Sequence, residues 1–348
     1  MKKAIVLLLV SALCLFAVVE CSAKSSSSSK EPVKLNVGVL AAQTALPVVD
    51  IVNHGLDKKN GIELNLISFT DGAPMNEAMA AGKIDVSFIG AAAVIALANY
   101  NSKMIAELSN DTIAINLNAR TGSKIVQKKG VNKEYPNIYG SKESLKGATV
   151  LCPAGTLSQY EVTKYLSVFG LTIDDINFVP MDYAQAYQAF KAGQGDIVAT
   201  RSPQSYTATS TDKFVQIASL TDLKSVATAQ IVVSENAYNT KADALATLLK
   251  LVYRANDKLD RDVDYAANLM VKWFSKNGQT IDPTVAKRQL SAKPFYKTSD
   301  VKTRNYGQDF KNTIVGFQIS SGQLDPSLRD KVYSNITDSI LVKAGLKK

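Results

Sequence analysis

The sequence predicts an α/β fold of two lobes, each a mixed, mostly parallel sheet flanked by helices, with the chain crossing twice between them. Three observations carry that expectation. Short apolar runs alternate with longer runs of helical period, the pattern of parallel strands joined by crossover helices. The whole alternation occurs twice, at an offset of about 110 residues. An apolar, β-like segment follows each copy, at Ile105–Leu117 and Ser225–Val233, as a pair of hinge strands would.

In the first copy, Leu35–Leu40 reads as a strand and Ala45–Lys59 as a helix stopped at Gly61, because glycine enters the left-handed region that ends helices. Ile62–Phe69 is the second strand, Pro74–Ala81 a helix stopped by Gly82, and Ile84–Ile89 the third strand. In the second copy the strands are Ala148–Cys152, Ile176–Val179 and Ile197–Thr200. Between them lie helices Leu157–Phe169 and Ala184–Ala192, stopped by Gly170 and Gly193. The copies correspond residue by residue: Ala81-Gly82-Lys83-Ile84-Asp85 answers Ala192-Gly193-Gln194-Gly195-Asp196, and Asp71 answers Asp182. Asp85 and Asp196 sit between a helix-stopping glycine and a strand, where a carboxylate satisfies local backbone donors. Helical patterns at Lys241–Asp257, Asp264–Lys276, Pro283–Leu290 and Lys302–Ser320 then complete the first lobe, with Trp273 expected in its core. The expected division is residues 33–118 and 225–348 in lobe 1, and 119–224 in lobe 2.

The amino terminus reads as an export signal over residues 1–23: Lys2 and Lys3 precede the uncharged apolar run Ala4–Val19. Two processing routes stay open, lipidation of Cys21 or cleavage after Ala23. The serine-rich tether of residues 24–32 favours the lipid-anchored form, at the periplasmic or outer face of the cell membrane. Hydrophobic content of 46% with 20% charged residues suits a globular body. Of the three cysteines only Cys152 lies in that body, which excludes an internal disulfide and a cysteine metal site. The net charge of +9 comes from scattered lysines rather than a basic patch, and export argues against nucleic acid as a partner. There is no G-x-S-x-G, no phosphate-binding loop and no metal-spaced histidine set, so neither metal nor cofactor is expected.

Three stretches together resemble a known family. They are Gly61-Ile62-Glu63-Leu64 through Asp71-Gly72, Ala81-Gly82-Lys83-Ile84-Asp85-Val86-Ser87-Phe88-Ile89-Gly90, and Leu145-Lys146-Gly147-Ala148-Thr149-Val150 through Pro153-Ala154-Gly155-Thr156. The chain, from Val33 to about Leu341, resembles periplasmic substrate-binding proteins of the nitrate, sulfonate and taurine type, which include thiamine-pyrimidine precursor binders. The resemblance implies a type II periplasmic binding protein fold closing like a flytrap on a small molecule, with the membrane permease of an ABC importer as partner. A monomer is expected. Arg201-Ser202-Pro203 departs from the aromatic residue that often precedes this proline in the family, so the ligand does not carry over. A pyrimidine-synthase branch of the fold uses a histidine and a cysteine-rich motif. Here the only histidine is His54, expected as a surface or capping residue, and no cysteine cluster exists.

Ligands of open α/β sheets bind beyond the carboxyl ends of the strands. That rule selects Gln43, Thr44, Asp71, Gly90 and Ala91 from the first lobe, Gly155, Thr156, Ser158, Asp182, Tyr183 and Arg201 from the second, and Asn116 and Asn118 from the crossing. Helix amino termini at these loops suit an anionic group. Thr156 and Ser158 can cap their helix, touch ligand, or both. Arg201 offers a planar fork of donors for a carboxylate, sulfonate or phosphonate, or else pairs with Asp182 or Asp71. Tyr160, Tyr183, Tyr187 and Tyr206 can stack on an organic ligand or pack on their own helices. The expected ligand is a small anionic or heteroaromatic organic molecule. A catalyst on the same fold and a sensory subunit are the competing functions.

Overall fold

The computed structural model describes residues 31–112, 115–292 and 294–348. The expected export signal, Cys21 and most of the serine tether lie outside them. In chain order the elements that build the two lobes begin with β1 (Val33–Leu40), α1 (Leu46–Asn53), β2 (Ile62–Phe69), α2 (Gly72–Ala80), β3 (Val86–Ile89), α3 (Ala93–Asn99) and β4 (Lys103–Asn110). There follow β5 (Ile115–Ala119), β6 (Thr149–Cys152), α4 (Leu157–Ser167), β7 (Asn177–Pro180), α5 (Tyr183–Lys191), β8 (Ile197–Arg201), α6 (Gln204–Ser210) and β9 (Val215–Ser219). The chain then runs through β10 (Thr228–Val233), α7 (Ala242–Arg261), α8 (Val263–Lys276), α9 (Pro283–Ser291) and α10 (Gly316–Ser320).

Two five-stranded sheets result, ordered β2-β1-β3-β10-β4 and β7-β6-β8-β5-β9. Four strands of each run in the same direction, and the one antiparallel to its neighbours is β10 in the first and β5 in the second. These are the two strands that the crossings deliver, so each lobe is closed by a strand that has just left the other. The expectation that lobe 1 extends to residue 118 is corrected here. Ile115–Ala119 pairs with Ile197–Arg201 and Val215–Ser219, and the first crossing falls between Asn110 and Ile115. The run Ile105–Leu117 looked continuous because apolar residues dominate both strands; the break is the polar pair Asn110-Asp111.

Local signals act as their chemistry dictates. Gly61, Gly82, Gly170 and Gly193 all hold φ between 67° and 96°, in the left-handed region. The helix expected over Ala45–Lys59 is interrupted at Gly55, also left-handed at φ 60°, before the short turn Leu56–Lys59. Gly307, at φ 73°, likewise breaks the helix expected over Lys302–Ser320. The first lobe's core joins Leu35, Val37, Phe88 and Ile105 of its sheet to Leu245, Leu249 and Trp273 of α7 and α8. Trp273 is buried as expected, and its indole N–H donates to Leu40 O at 3.0 Å, pinning the end of β1. A separate core, with Leu117, Val150, Val162, Tyr165 and Ala199, holds the second lobe. A third apolar cluster spans both: Ile115, Leu157 and Tyr160 pack with Ile314 and Phe317, so α4 meets α10. No helix of the described residues is long and apolar enough to cross a membrane.

Candidate functional site

The crossings fix where the lobes face each other. Asp111 N–H donates to Ala227 O at 2.9 Å, and Ala227 N–H donates to Thr112 Oγ1 at 2.9 Å, binding the two connections side by side. β4 runs parallel to β1 and β3, so Asp111 follows its carboxyl end on the edge that also carries Gln43 and Gly90. On the other lobe, Arg201 ends β8 in register with Ile115, the first residue of β5.

Arg201 is the charged member of the candidate site in the second lobe. Its guanidinium lies over the Tyr183 ring at 4.6 Å, a cation–π distance. It forms no hydrogen bond or ion pair with any of the described residues, and the pairing with Asp182 or Asp71 that the sequence left open is not made. The two aspartates are instead helix caps. Asp71 accepts from Ala73 N–H at 2.8 Å and Asp182 from Gln185 N–H at 2.9 Å. Tyr183 Oη is bonded to Ser158 Oγ at 2.9 Å, which joins the ring to the first turn of α4. Burial pushes the Tyr183 hydroxyl above its ordinary value, with Arg201 pulling in the opposite direction. Thr156 Oγ1 donates to Pro153 O at 2.8 Å and so holds the loop rather than capping α4. Gly155, at φ 73°, gives that loop its turn, and its N–H donates to Gln159 Oε1 at 2.7 Å. Thr156, Ser158, Tyr183 and Arg201 are thus brought together in the second lobe.

The first lobe contributes amides and a carboxylate. Gln43 is buried; its Nε2 donates to Asp111 Oδ1 at 3.2 Å and its Oε1 accepts from Gln289 Nε2 at 2.6 Å. Gln289 also accepts from Ser202 Oγ, a hydrogen bond that crosses from one lobe to the other. A second bridge joins Gln323 Nε2 to Gln159 Oε1 at 3.0 Å. Thr44, beside Gln43, is buried and its Oγ1 has no partner among the described residues. Gly90 and Ala91 form the loop into α3, steadied by Asn76 Nδ2 donating to Ala92 O at 2.8 Å. Burial raises the Asp111 carboxyl from its ordinary value, while Ser109, Gln43 and Arg201 hold it down.

Some sequence candidates lie elsewhere. Asn116 and Asn118 are buried within the second sheet and bonded to Gln216, Thr200 and each other at 2.8–2.9 Å. Their alternation along β5 places both amides on one face of the sheet, within this network, and Asn118 Oδ1 keeps no hydrogen-bond partner among the described residues. Tyr160 Oη donates to Ser225 Oγ at 3.0 Å, Tyr187 to Asp212, and Tyr206 packs with Arg288 at 5.5 Å. His54 ends α1, its Nδ1 2.8 Å from Asp50 O and its side chain 46% exposed. Asp85 and Asp196 take the local role expected of them, accepting from Asn36 N–H at 2.9 Å and Thr149 N–H at 2.8 Å. Asp111, Gln159, Gln289 and Gln323 were not singled out by sequence, and Ser202 stood out only as part of the Arg201-Ser202-Pro203 loop. Their partners come from distant segments, and only the polar Asn110-Asp111 break marked any of them. Among the described residues no cluster of histidine, cysteine, aspartate or glutamate could hold a metal ion.

Two mixed sheets, each closed by a strand exchanged from the other lobe, mark the class of two-lobed periplasmic binding proteins. Solved structures of that class superpose on the chain. The aliphatic sulfonate-binding protein SsuA of Escherichia coli gives a TM-score of 0.68 at 18% identity, covering 86% of this chain and 92% of that one. The nitrate-binding protein NrtA of Synechocystis PCC 6803 gives 0.71 at 12% identity, covering 90% and 89%. A Brachyspira hyodysenteriae protein that carries the provisional name of an ABC transporter periplasmic binding protein is 33% identical over 331 residues, 95% of each chain. The NMT1-like family profile matches residues 28–275, and the chain belongs to that family.

Proposed function

We propose that the chain is the solute receptor of an ABC importer, capturing a small anionic organic molecule between its lobes and presenting the closed form to a membrane permease. The observation that carries this reading is the unpaired guanidinium of Arg201 at the crossing, stacked on Tyr183. An arginine in a cleft with no anion of its own is a fork of donors for a carboxylate or sulfonate. The Tyr183 ring, Ser158 and the Thr44 hydroxyl supply a surface for the organic part. The solved neighbours are named for sulfonate and nitrate, both anions, which agrees with a cation at the centre. The bridges from Ser202 to Gln289 and from Gln159 to Gln323 hold the closed form, and ligand touching both lobes would shift the population toward it.

A thermal-shift screen of carboxylates, organosulfonates, inorganic anions and pyrimidines tests the reading. Ligand at 100 times its Kd stabilises by about 2.7 kcal/mol, several degrees in Tm for a chain of this size. For any anionic hit, Arg201→Ala should weaken binding by about 100-fold, the loss of a charged, bidentate contact. A hit that survives R201A unchanged would sink the proposal. Turnover of the bound molecule would instead favour the enzyme reading, which the exposed His54 and the buried Cys152 thiol, pushed well above its ordinary value by burial, do not support.

A further inference from the structure

The connection from β5 to β6, residues 120–147, lies away from the candidate site. β5 runs antiparallel to β8, so its last residue, Ala119, pairs with Ile197 at the start of β8. The connection ends at Gly147, just before β6, which runs parallel to β8. It therefore occupies the end of the second lobe opposite the one that carries Arg201. The segment is folded against itself: Gly130 N–H donates to Ile138 O at 2.9 Å and Gly140 N–H to Lys128 O at 2.8 Å.

Most of the excess charge of the body sits here. Residues 1–30 hold four lysines and one glutamate, so the net +9 leaves +6 for residues 31–348. Residues 120–147 hold seven cations and two carboxylates, a net +5. The lysines look scattered along the sequence because the excess shows only once neighbouring carboxylates are subtracted. Arg120 is engaged inside the lobe, donating to the carbonyls of Phe190, Gln194 and Gly195 at 2.6–2.7 Å. Lys124, Lys128, Lys129, Lys133, Lys142 and Lys146 are all exposed, and none forms an ion pair with any of the described residues. Of the two carboxylates, Glu134 already faces Lys224, from outside the segment, at 3.2 Å.

Four of the lysines share one neighbourhood. A groove of about 570 Å³ has Lys133 and Lys142 in its walls, with Val131, 53% exposed, beside them. The Glu143 carboxyl in the same groove is held below its ordinary value by its own backbone N–H and Ser141, and further by Lys128 and Lys142. Asp175 is held down by Thr172, and further by Lys146 and Lys142.

We propose that this face binds an anionic lipid surface and holds the protein against the membrane by the end of the lobe opposite Arg201. The lysines are exposed and share no hydrogen-bonded framework, so the face sets charge without setting geometry. A fluid layer of headgroups, whose phosphates can move to meet flexible ammonium groups, suits it better than a protein surface of fixed shape. The reading does not depend on Arg201 or on the identity of the solute.

Cosedimentation with vesicles tests it, using phosphatidylcholine alone and an equal mixture with phosphatidylglycerol. At low salt the unmodified protein should partition at least tenfold more strongly onto the anionic vesicles, and high salt should remove most of that preference. The variant K128E/K133E/K142E should bind both vesicles within about twofold of each other. K83E/K250E/K302E, which changes the net charge equally on exposed lysines of the first lobe, should keep most of the preference. Equal partition of the unmodified protein onto both vesicles, a preference that persists in the first variant, or an equal loss in both variants overturns the proposal. Capture by polyglutamate without any preference between vesicles overturns it too, and assigns the face to an acidic protein. The comparison of vesicles needs no variant, so poor folding of a variant would not shield the proposal.

Discussion

The two lobes repeat one topology at an offset of about 110 residues, and they differ most where the copies align inside the cleft. Gly90, after β3, corresponds to Arg201, at the end of β8. A methyl group added at Gly90 would meet nothing within 4 Å, so space does not force glycine there. The same loop is bare in one lobe and carries the central cation in the other. By contrast Asp85 and Asp196 do the same work twice. Each also donates its own N–H to the residue it accepts from, Asn36 O at 2.8 Å and Thr149 O at 2.7 Å. The copies are alike where a strand is tied to a loop, and unlike at the loop that carries Arg201.

A second aligned pair is buried in the first helix of each copy. Asp50 on α1 corresponds to Glu161 on α4, and both are at most 1% exposed. Asp50 is partnered through one oxygen: Lys258 Nζ stands 2.7 Å from Oδ1, and Tyr265 Oη donates to the same oxygen. Both oxygens of Glu161 lack any hydrogen-bond partner among the described residues. Breaking the partnered copy should therefore be the most damaging change. Asp50→Ala should destabilise by about 3 kcal/mol, because it strands the Lys258 charge and a half-buried tyrosine. Urea unfolding would measure it, and a loss below about 0.5 kcal/mol, the range of surface changes, would break the contrast.

Glu161 should respond with the opposite sign. Burial, with the nearby Asp222 adding to it, pushes its carboxyl well above the ordinary value. The folded state then holds a proton that the unfolded chain releases, so this residue's contribution to stability falls as pH rises through and beyond the unfolded value of about 4.3. Glu161→Met, an apolar chain of similar length, should stabilise by about 1–3 kcal/mol at pH 7. The gain should shrink toward pH 4. Melting curves at several pH values would show it, and a gain that does not vary with pH would refute the buried-proton account.

How much of this was legible in the sequence follows from the range of each interaction. Strands, helices and their glycine stops are local, and the repeat could be aligned through Asp71, Asp85, Asp182 and Asp196 without knowing a single contact. Arg201 was legible as a candidate because its type and its place at a strand end suffice. The framework around it was not. Gln43 meets Gln289 across 246 positions, and Gln159 meets Gln323 across 164, from segments whose sequences carry no sign of the other. The surroundings of Asn116 and Asn118 were hidden for the same reason: their partners lie on β8 and β9.

The smallest predicted effect concerns the pair Asp71 and Asp182, candidates for the cleft that the structure uses as caps. A cap of this kind contributes about 1 kcal/mol through one bond to a free helix N–H. Asp182→Ala should lower the melting temperature by a few degrees at most, and Asp182→Ser, which keeps an acceptor at the cap, should recover most of that loss. If capping is their only work, ligand affinity measured by calorimetry should stay within about twofold in both variants, less than 0.5 kcal/mol. A tenfold loss in Asp182→Ala that Asp182→Ser does not restore would show that the carboxylate faces solute as well. The acidic side of the cleft would then extend from the crossing at Asp111 into the second lobe, and the contrast between the lobes would be weaker than Gly90 and Arg201 suggest.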